Sequence, residues 1–171
     1  PTPARTDGDA QPAAAGEPIK IGIPDDATNG GRAIKLLESA GLIEVDPAAG
    51  WVPELKDITS YLYNIEIVPT QANTLPATLD DFGGATINGT YAIPTGLVPS
   101  RDGLLVEAQS DASGDSGNPF VNVIVARSAD KDNEVYKAVV EAFHSDVVGQ
   151  YLIAKSQEAF LPVFAYRDTD K

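Results

Sequence analysis

The residues best suited to bind a ligand are Thr-Asn-Gly-Gly-Arg at positions 28–32, where a predicted buried strand is followed by a predicted helix. Thr28 or Asn29 is the expected N-cap, which would place Gly30, Gly31 and Arg32 in the first helical turn. Backbone N–H groups there attract anions, and glycine leaves them accessible. Because a guanidinium pairs well with a carboxylate, the pattern predicts an anion site. On its own, however, the stretch is more typical of an ordinary capped helix with Arg32 in solvent, because such strand–turn–helix units are common.

A second polar side chain, Asn88, follows the small apolar run Gly83–Ile87. An amide can donate to a carboxylate or accept from an ammonium group. Ligands of open α/β sheets gather beyond the carboxyl ends of the strands, so Asn88 and Arg32 are expected at one sheet edge. The alternative for Asn88-Gly89 is a plain turn.

Hydrophobic periodicity predicts the elements that would position these residues. Segment 57–63 fits either a helix or a strand. The predicted strands are 19–23, 64–68, 83–87, 103–107 and 120–126, and the last of them is expected to be buried on both faces. The predicted helices are one over 33–40, a short one over 75–82, one that follows a cap within 130–133, and one from 146 to 153.

Composition limits the possible functions. The net charge of −13 argues against nucleic acid or an anionic membrane surface as partner. The chain has no cysteine and one histidine, His144, which is expected to interact with a helix dipole rather than act as a base. Asp25 and Asp26 suit turn and cap chemistry better than a carboxylate dyad. No enzymatic activity, cofactor or metal is therefore expected.

Eight short motifs lie at residues 24–33, 36–37, 40–43, 79–81, 87–92, 96–97, 118–124 and 143–147. Taken together, in order and spacing over about residues 19–155, they resemble the NlpA/MetQ family of methionine-binding lipoproteins. The resemblance implies an α/β fold of the type II periplasmic-binding-protein-like class, with an amino acid held between two lobes and delivered to an ABC permease and ATPase. It implies that Arg32 pairs with the ligand carboxylate and that Asn29 and Asn88 hydrogen-bond its carboxylate or ammonium group. It also implies an extracytoplasmic site and a lipid-anchored parent protein.

The resemblance covers only the C-terminal portion of the family pattern. Residues 1–17 are expected to form a linker or tail, 18–107 the second lobe with the carboxylate site, 108–117 a flexible inter-lobe loop, and 118–171 the segment that returns to complete the first lobe. The sulfur-contacting residues cannot be assigned, so methionine of either hand, a methionine dipeptide and another amino acid all stay open. The return strand 120–126 would lack neighbours, and we expect the fragment to bind methionine poorly and to dimerise. The alternative function is a ligand-sensing or interaction domain on the same fold.

Overall fold

The computed structural model describes residues 16–107, 120–156, 160–162, 164, 165 and 167. The chain divides into two compact units, one ending at Thr95 and the other beginning at Gly96. Most of the expected linker 1–17 and all of the expected loop 108–117 lie outside the described residues. The strands are β1 (Ile19–Pro24), β2 (Ile43–Val45), β3 (Ile58–Tyr61), β4 (Ile65–Thr70) and β5 (Gly84–Ala85); the α-helices are α1 (Ala27–Ser39), α2 (Gly89–Ala92), α3 (Pro99–Asp102), α4 (Glu134–Phe143) and α5 (Asp146–Ser156).

The first unit is built on a parallel three-stranded sheet in the order β4-β1-β5. Ile21 of β1 lies opposite Ile67 of β4 and Gly84 of β5. The ladder continues one residue past β5, because the Thr86 N–H donates to the Gly22 carbonyl at 2.9 Å. The predicted strands at 19–23 and 64–68 are confirmed, and the strand at 83–87 is shorter than expected.

The core of this unit lies between the sheet and α1. Ile23, Ile34 and Leu37 are buried there together with Ile43 and Val45 of β2. Strand β2 pairs antiparallel with β3, so segment 57–63, for which helix and strand were both possible, contains a strand. The short helix expected over 75–82 is absent apart from a single 3-10 turn at Leu79–Asp81.

Helix α1 begins earlier than the sequence suggested. Its N-cap is Asp26, whose carboxylate accepts the Asn29 backbone N–H, so the expected cap at Thr28 or Asn29 is wrong. Gly30 and Gly31 consequently lie beyond the first turn and are buried. A Cβ on Gly30 would lie 2.8 Å from the Pro24 carbonyl oxygen, and both glycines allow close packing rather than access to an anion.

The second unit holds α3, α4 and α5. Asn133 caps α4 by accepting the Val135 N–H, as expected, and His144 ends that helix with its ring stacked on Phe164. The strands predicted at 103–107 and 120–126 do not form, and Val125 is 82% exposed instead of buried. A strand needs a neighbour to complete its ladder, and no described segment pairs with 120–126. Among the described residues, no helix is both long and apolar enough to span a membrane.

Candidate functional site

The candidate site lies where the chain changes direction across the sheet. After β1 the chain adds β4 on one side, and it then crosses to place β5 on the other side. In open α/β sheets such a switch point forms a crevice beyond the carboxyl ends of the strands. Asn29 follows β1 and Asn88 follows β5, so both lie at this crevice. Their side chains meet there, with Asn88 Nδ2 donating to Asn29 Oδ1 at 2.9 Å.

Asn88 occupies the N-cap position of α2 without capping it through its side chain. An asparagine at that position ordinarily accepts a backbone N–H of the first turn. Here the amide is used instead for a contact between two segments that are 59 residues apart in the sequence. The contact is part of the site and is not explained by a plain turn at Asn88-Gly89.

The Asp26 carboxylate accepts hydrogen bonds from the NH₂ group of the Asn29 side chain. Asn29 Nδ2 donates to Oδ1 and Oδ2 of Asp26 at 3.1 and 3.0 Å, and the Asn29 backbone N–H donates to Oδ1 at 2.9 Å. These bonds favour the charged carboxylate, the backbone bond most strongly, and they lower the Asp26 pKa below its ordinary value. A negative charge at the start of α1 also interacts favourably with the helix dipole.

Arg32 completes the cluster from the second turn of α1. Its Nη1 lies 3.5 Å from Asn29 Oδ1, at the long limit for a hydrogen bond, and the residue is half-buried. The structure thus brings together Asn29, Arg32 and Asn88, the three residues selected from the sequence. Asp26 was interpreted from the sequence only as turn and cap chemistry, and its contact with the Asn29 amide was not anticipated.

Two buried side-chain oxygens in this region, Asn88 Oδ1 and Thr86 Oγ1, have no hydrogen-bond partner among the residues that the structure describes. Side chains alternate along an extended chain, so residues 86 and 88 project to the same side. A buried polar atom without a partner costs about 1–3 kcal/mol. Such atoms are uncommon in protein structures unless a ligand or a water molecule binds to them. The sequence signal for Thr86 is its position two residues before Asn88 on the strand that leads into the site.

The site does not contain a cluster of metal-binding side chains in the part of the chain that is described. No group of three or more His, Asp or Glu side chains converges on a possible metal position among those residues. The site residues instead offer a guanidinium, two amides and a carboxylate already bonded within the cluster. This set of groups is suited to binding a small polar molecule by hydrogen bonds and charge.

Comparison with known proteins gives consistent relatives. The chain is 41% identical over 131 residues to the D-methionine-binding lipoprotein MetQ of Yersinia pestis, covering 75% of this chain and 46% of the relative. The corresponding MetQ of Escherichia coli (strain K12) is 40% identical with the same coverage. The chain therefore spans slightly less than half the length of these relatives. Their names describe ligand binding and not catalysis.

Solved structures agree with the sequence relatives. A periplasmic substrate-binding protein of an ABC transporter from Coxiella burnetii superposes with a TM-score of 0.73 at 35% identity, covering 85% of this chain and 58% of that one. A nutrient binding protein from Burkholderia cenocepacia bound to methionine gives a TM-score of 0.73 at 28% identity, with 85% and 58% covered. These neighbours confirm the expected α/β, periplasmic-binding-protein-like fold.

The family assignment follows from a match along most of the sequence. The family model described as NlpA lipoprotein matches residues 16–164, which include most of each unit and every residue of the candidate site. The resemblance expected from the motifs is confirmed, and this chain belongs to the NlpA lipoprotein family.

Proposed function

We propose that this chain supplies the carboxylate-binding side of a solute-binding protein for methionine or a closely related amino acid. The complete protein would deliver this ligand to an ABC permease and ATPase from an extracytoplasmic, membrane-anchored position. Arg32 binds the ligand carboxylate, and Asn29 and Asn88 form the polar wall beside it.

The main support is the meeting of Asn29, Arg32 and Asn88 at the switch point of the sheet, next to a buried oxygen of Asn88 that has no partner in the described part of the chain. An amino acid has a carboxylate that can pair with the Arg32 guanidinium and an ammonium group that can donate to Asn88 Oδ1. One ligand of that class can therefore bind both groups.

The choice of methionine rests on the relatives. Proteins named for D-methionine binding share about 40% identity with this chain, and the Burkholderia cenocepacia neighbour holds methionine. The ABC importer as partner and the membrane anchor are carried over in the same way, from the names of the Coxiella burnetii neighbour and of the lipoprotein relatives.

The proposal is tested in a chimera that joins this chain to the part of the Yersinia pestis relative outside the 131-residue match. Calorimetric titration with methionine is compared for the parent chimera, Arg32→Ala and Lys35→Ala. Lys35 is a matched control, because it lies on the same helix, carries the same charge and pairs with Glu38 at 3.0 Å.

A hydrogen bond between charged groups contributes about 1.5–3 kcal/mol, so Arg32→Ala should weaken binding at least about tenfold. Asn88→Ala should have a smaller effect, because a neutral amide contributes less. Lys35→Ala should leave affinity unchanged. An Arg32→Ala variant that binds methionine as tightly as its parent would exclude Arg32 as the carboxylate anchor.

A further inference from the structure

We propose that Asp26 is a positioning residue that fixes the direction of two side-chain amides, so that Asn88 turns its oxygen, and not its NH₂ group, toward the ligand. The identity of the ligand rests on the function proposed above. The direction of the amides does not depend on it, because it follows from the chemistry of the groups around Asn29.

The first step is the contact between Asp26 and Asn29. An ionised carboxylate can only accept hydrogen bonds, and both of its oxygens lie within 3.1 Å of Asn29 Nδ2. If the Asn29 amide were reversed, its carbonyl oxygen would face two carboxylate oxygens, and two bonds to a charged group would become repulsive contacts. The lowered pKa of Asp26 agrees with a carboxylate that stays ionised.

In the second step, the orientation of the Asn29 amide determines the orientation of the Asn88 amide. With its NH₂ group on Asp26, Asn29 must present Oδ1 on its other side, and that atom can only accept. Arg32, a pure donor, lies on that side with Nη1 at 3.5 Å. The Asn88 group 2.9 Å away must therefore be its NH₂, which leaves Asn88 Oδ1 as the buried atom that no described residue bonds.

The third step concerns the ligand. A buried acceptor attracts a donor and repels a carboxylate, which is itself an acceptor. The ammonium group of an amino acid, a cation with N–H donors only, fits this atom. The sequence left open whether Asn88 binds the carboxylate or the ammonium group, and the relay from Asp26 selects the ammonium group. The ligand carboxylate is then directed to Arg32.

The first experiment needs no ligand and uses this chain as it is. Nuclear magnetic resonance measures solvent exchange of the Asn88 side-chain amide protons in the parent, Asp26→Asn and Asp25→Asn. Asn caps helices about as well as Asp, so Asp26→Asn keeps the start of α1 but loses the group that can only accept. Asp25→Asn makes the same charge change one residue away, at an exposed position.

In Asp26→Asn only the long 3.5 Å contact from Arg32 still opposes reversal of the two amides, so the Asn88 amide protons should exchange at least tenfold faster than in the parent. Asp25→Asn should stay within twofold of the parent. Equal exchange rates in the parent and Asp26→Asn would show that Asp26 does not set the amide direction, and would overturn the proposal.

The second experiment measures ligand selectivity in the chimera described above. Methionine is compared with its 2-hydroxy analogue, in which the ammonium group is replaced by a hydroxyl that can also accept a hydrogen bond. The parent should prefer methionine, and Asp26→Asn should reduce that preference at least tenfold. Arg32→Ala should weaken both ligands alike, because both carry the carboxylate.

A preference unchanged by Asp26→Asn would overturn the assignment of the ammonium group to Asn88. A parent chimera that binds no methionine would contradict the proposed function and the ligand assignment together. The exchange measurement would still decide the role of Asp26, so the two failures can be told apart.

Discussion

A substitution at Gly31 tests whether Gly30 and Gly31 of α1 allow close packing or keep backbone N–H groups accessible to an anion. A Cβ built on Gly31 would lie 2.7 Å from Val52 Cγ1, 2.8 Å from Val52 Cα and 3.0 Å from Val52 C. Two of these three atoms belong to the backbone and cannot rotate away. Gly31→Ala should therefore force apart the loop that carries Val52 and the helix.

Two opposing effects set the size of the change. Alanine in a helix interior is more favourable than glycine by about 0.8–1.0 kcal/mol. Overpacking costs about 1–3 kcal/mol, and contacts with backbone belong to the upper part of that range. The free energy of unfolding should therefore fall by about 1–2 kcal/mol.

Urea denaturation followed by the fluorescence of Trp51 suits this measurement, because Trp51 is the single tryptophan and is adjacent to Val52. The midpoint should fall with an unchanged slope. Val52→Ala removes Cγ1 but not the backbone atoms, so the double variant should recover only part of the loss. A gain of stability in Gly31→Ala would refute the packing role and return the glycines to the anion-access hypothesis.

Three other predictions follow from single residues. Thr86→Val removes a buried hydroxyl that has no partner among the described residues and keeps the β-branched shape, so it should raise the free energy of unfolding by about 1 kcal/mol; an unchanged urea midpoint would mean that the hydroxyl is hydrogen-bonded in solution. The Asp26 pKa is depressed, so the stabilisation from Asp26 is present above the ordinary value of 3.8 and is lost as the pH falls through the lower folded value. The stability difference between the parent and Asp26→Ala should shrink over that acidic range in denaturation curves, and a difference independent of pH would contradict it. Light scattering should find dimers formed through segment 120–126, where Val125 is 82% exposed, and Val125→Lys should yield monomers; a monomeric parent would exclude this contact.

The part of the fold that the sequence predicted is the part with local signals. Alternation identified β1, and helical spacing ended by Gly41, which has a φ of 71°, identified α1. The exact start of α1 was not predictable in the same way, because Asp26, Thr28 and Asn29 are all competent caps. The choice depends on which side chain reaches an unpaired N–H, and Asp26 does so at 2.9 Å.

The candidate site was predicted in outline by the rule about strand ends. That rule placed Arg32 and Asn88 at one edge, and the family resemblance added Asn29; the 2.9 Å bond between the Asn29 and Asn88 amides is consistent with both. The rule does not give the direction of an amide or the partner of a carboxylate. The role of Asp26 depends on contacts among four side chains, and no local pattern in the sequence specifies those contacts.

The contrast between α4 and segment 120–126 shows why one strong pattern gave a regular element and the other did not. An α-helix makes its backbone hydrogen bonds internally, and α4 adds a local cap at Asn133 and an ion pair between Glu134 and Lys137. It therefore forms although Val135 and Phe143 on its apolar face are 67% and 51% exposed. A strand has no internal hydrogen bonds, and its stability comes from a neighbour on which it can pair. Segment 120–126 has equally apolar residues but no pairing neighbour among the described residues, so the hydrophobic pattern alone did not produce a strand.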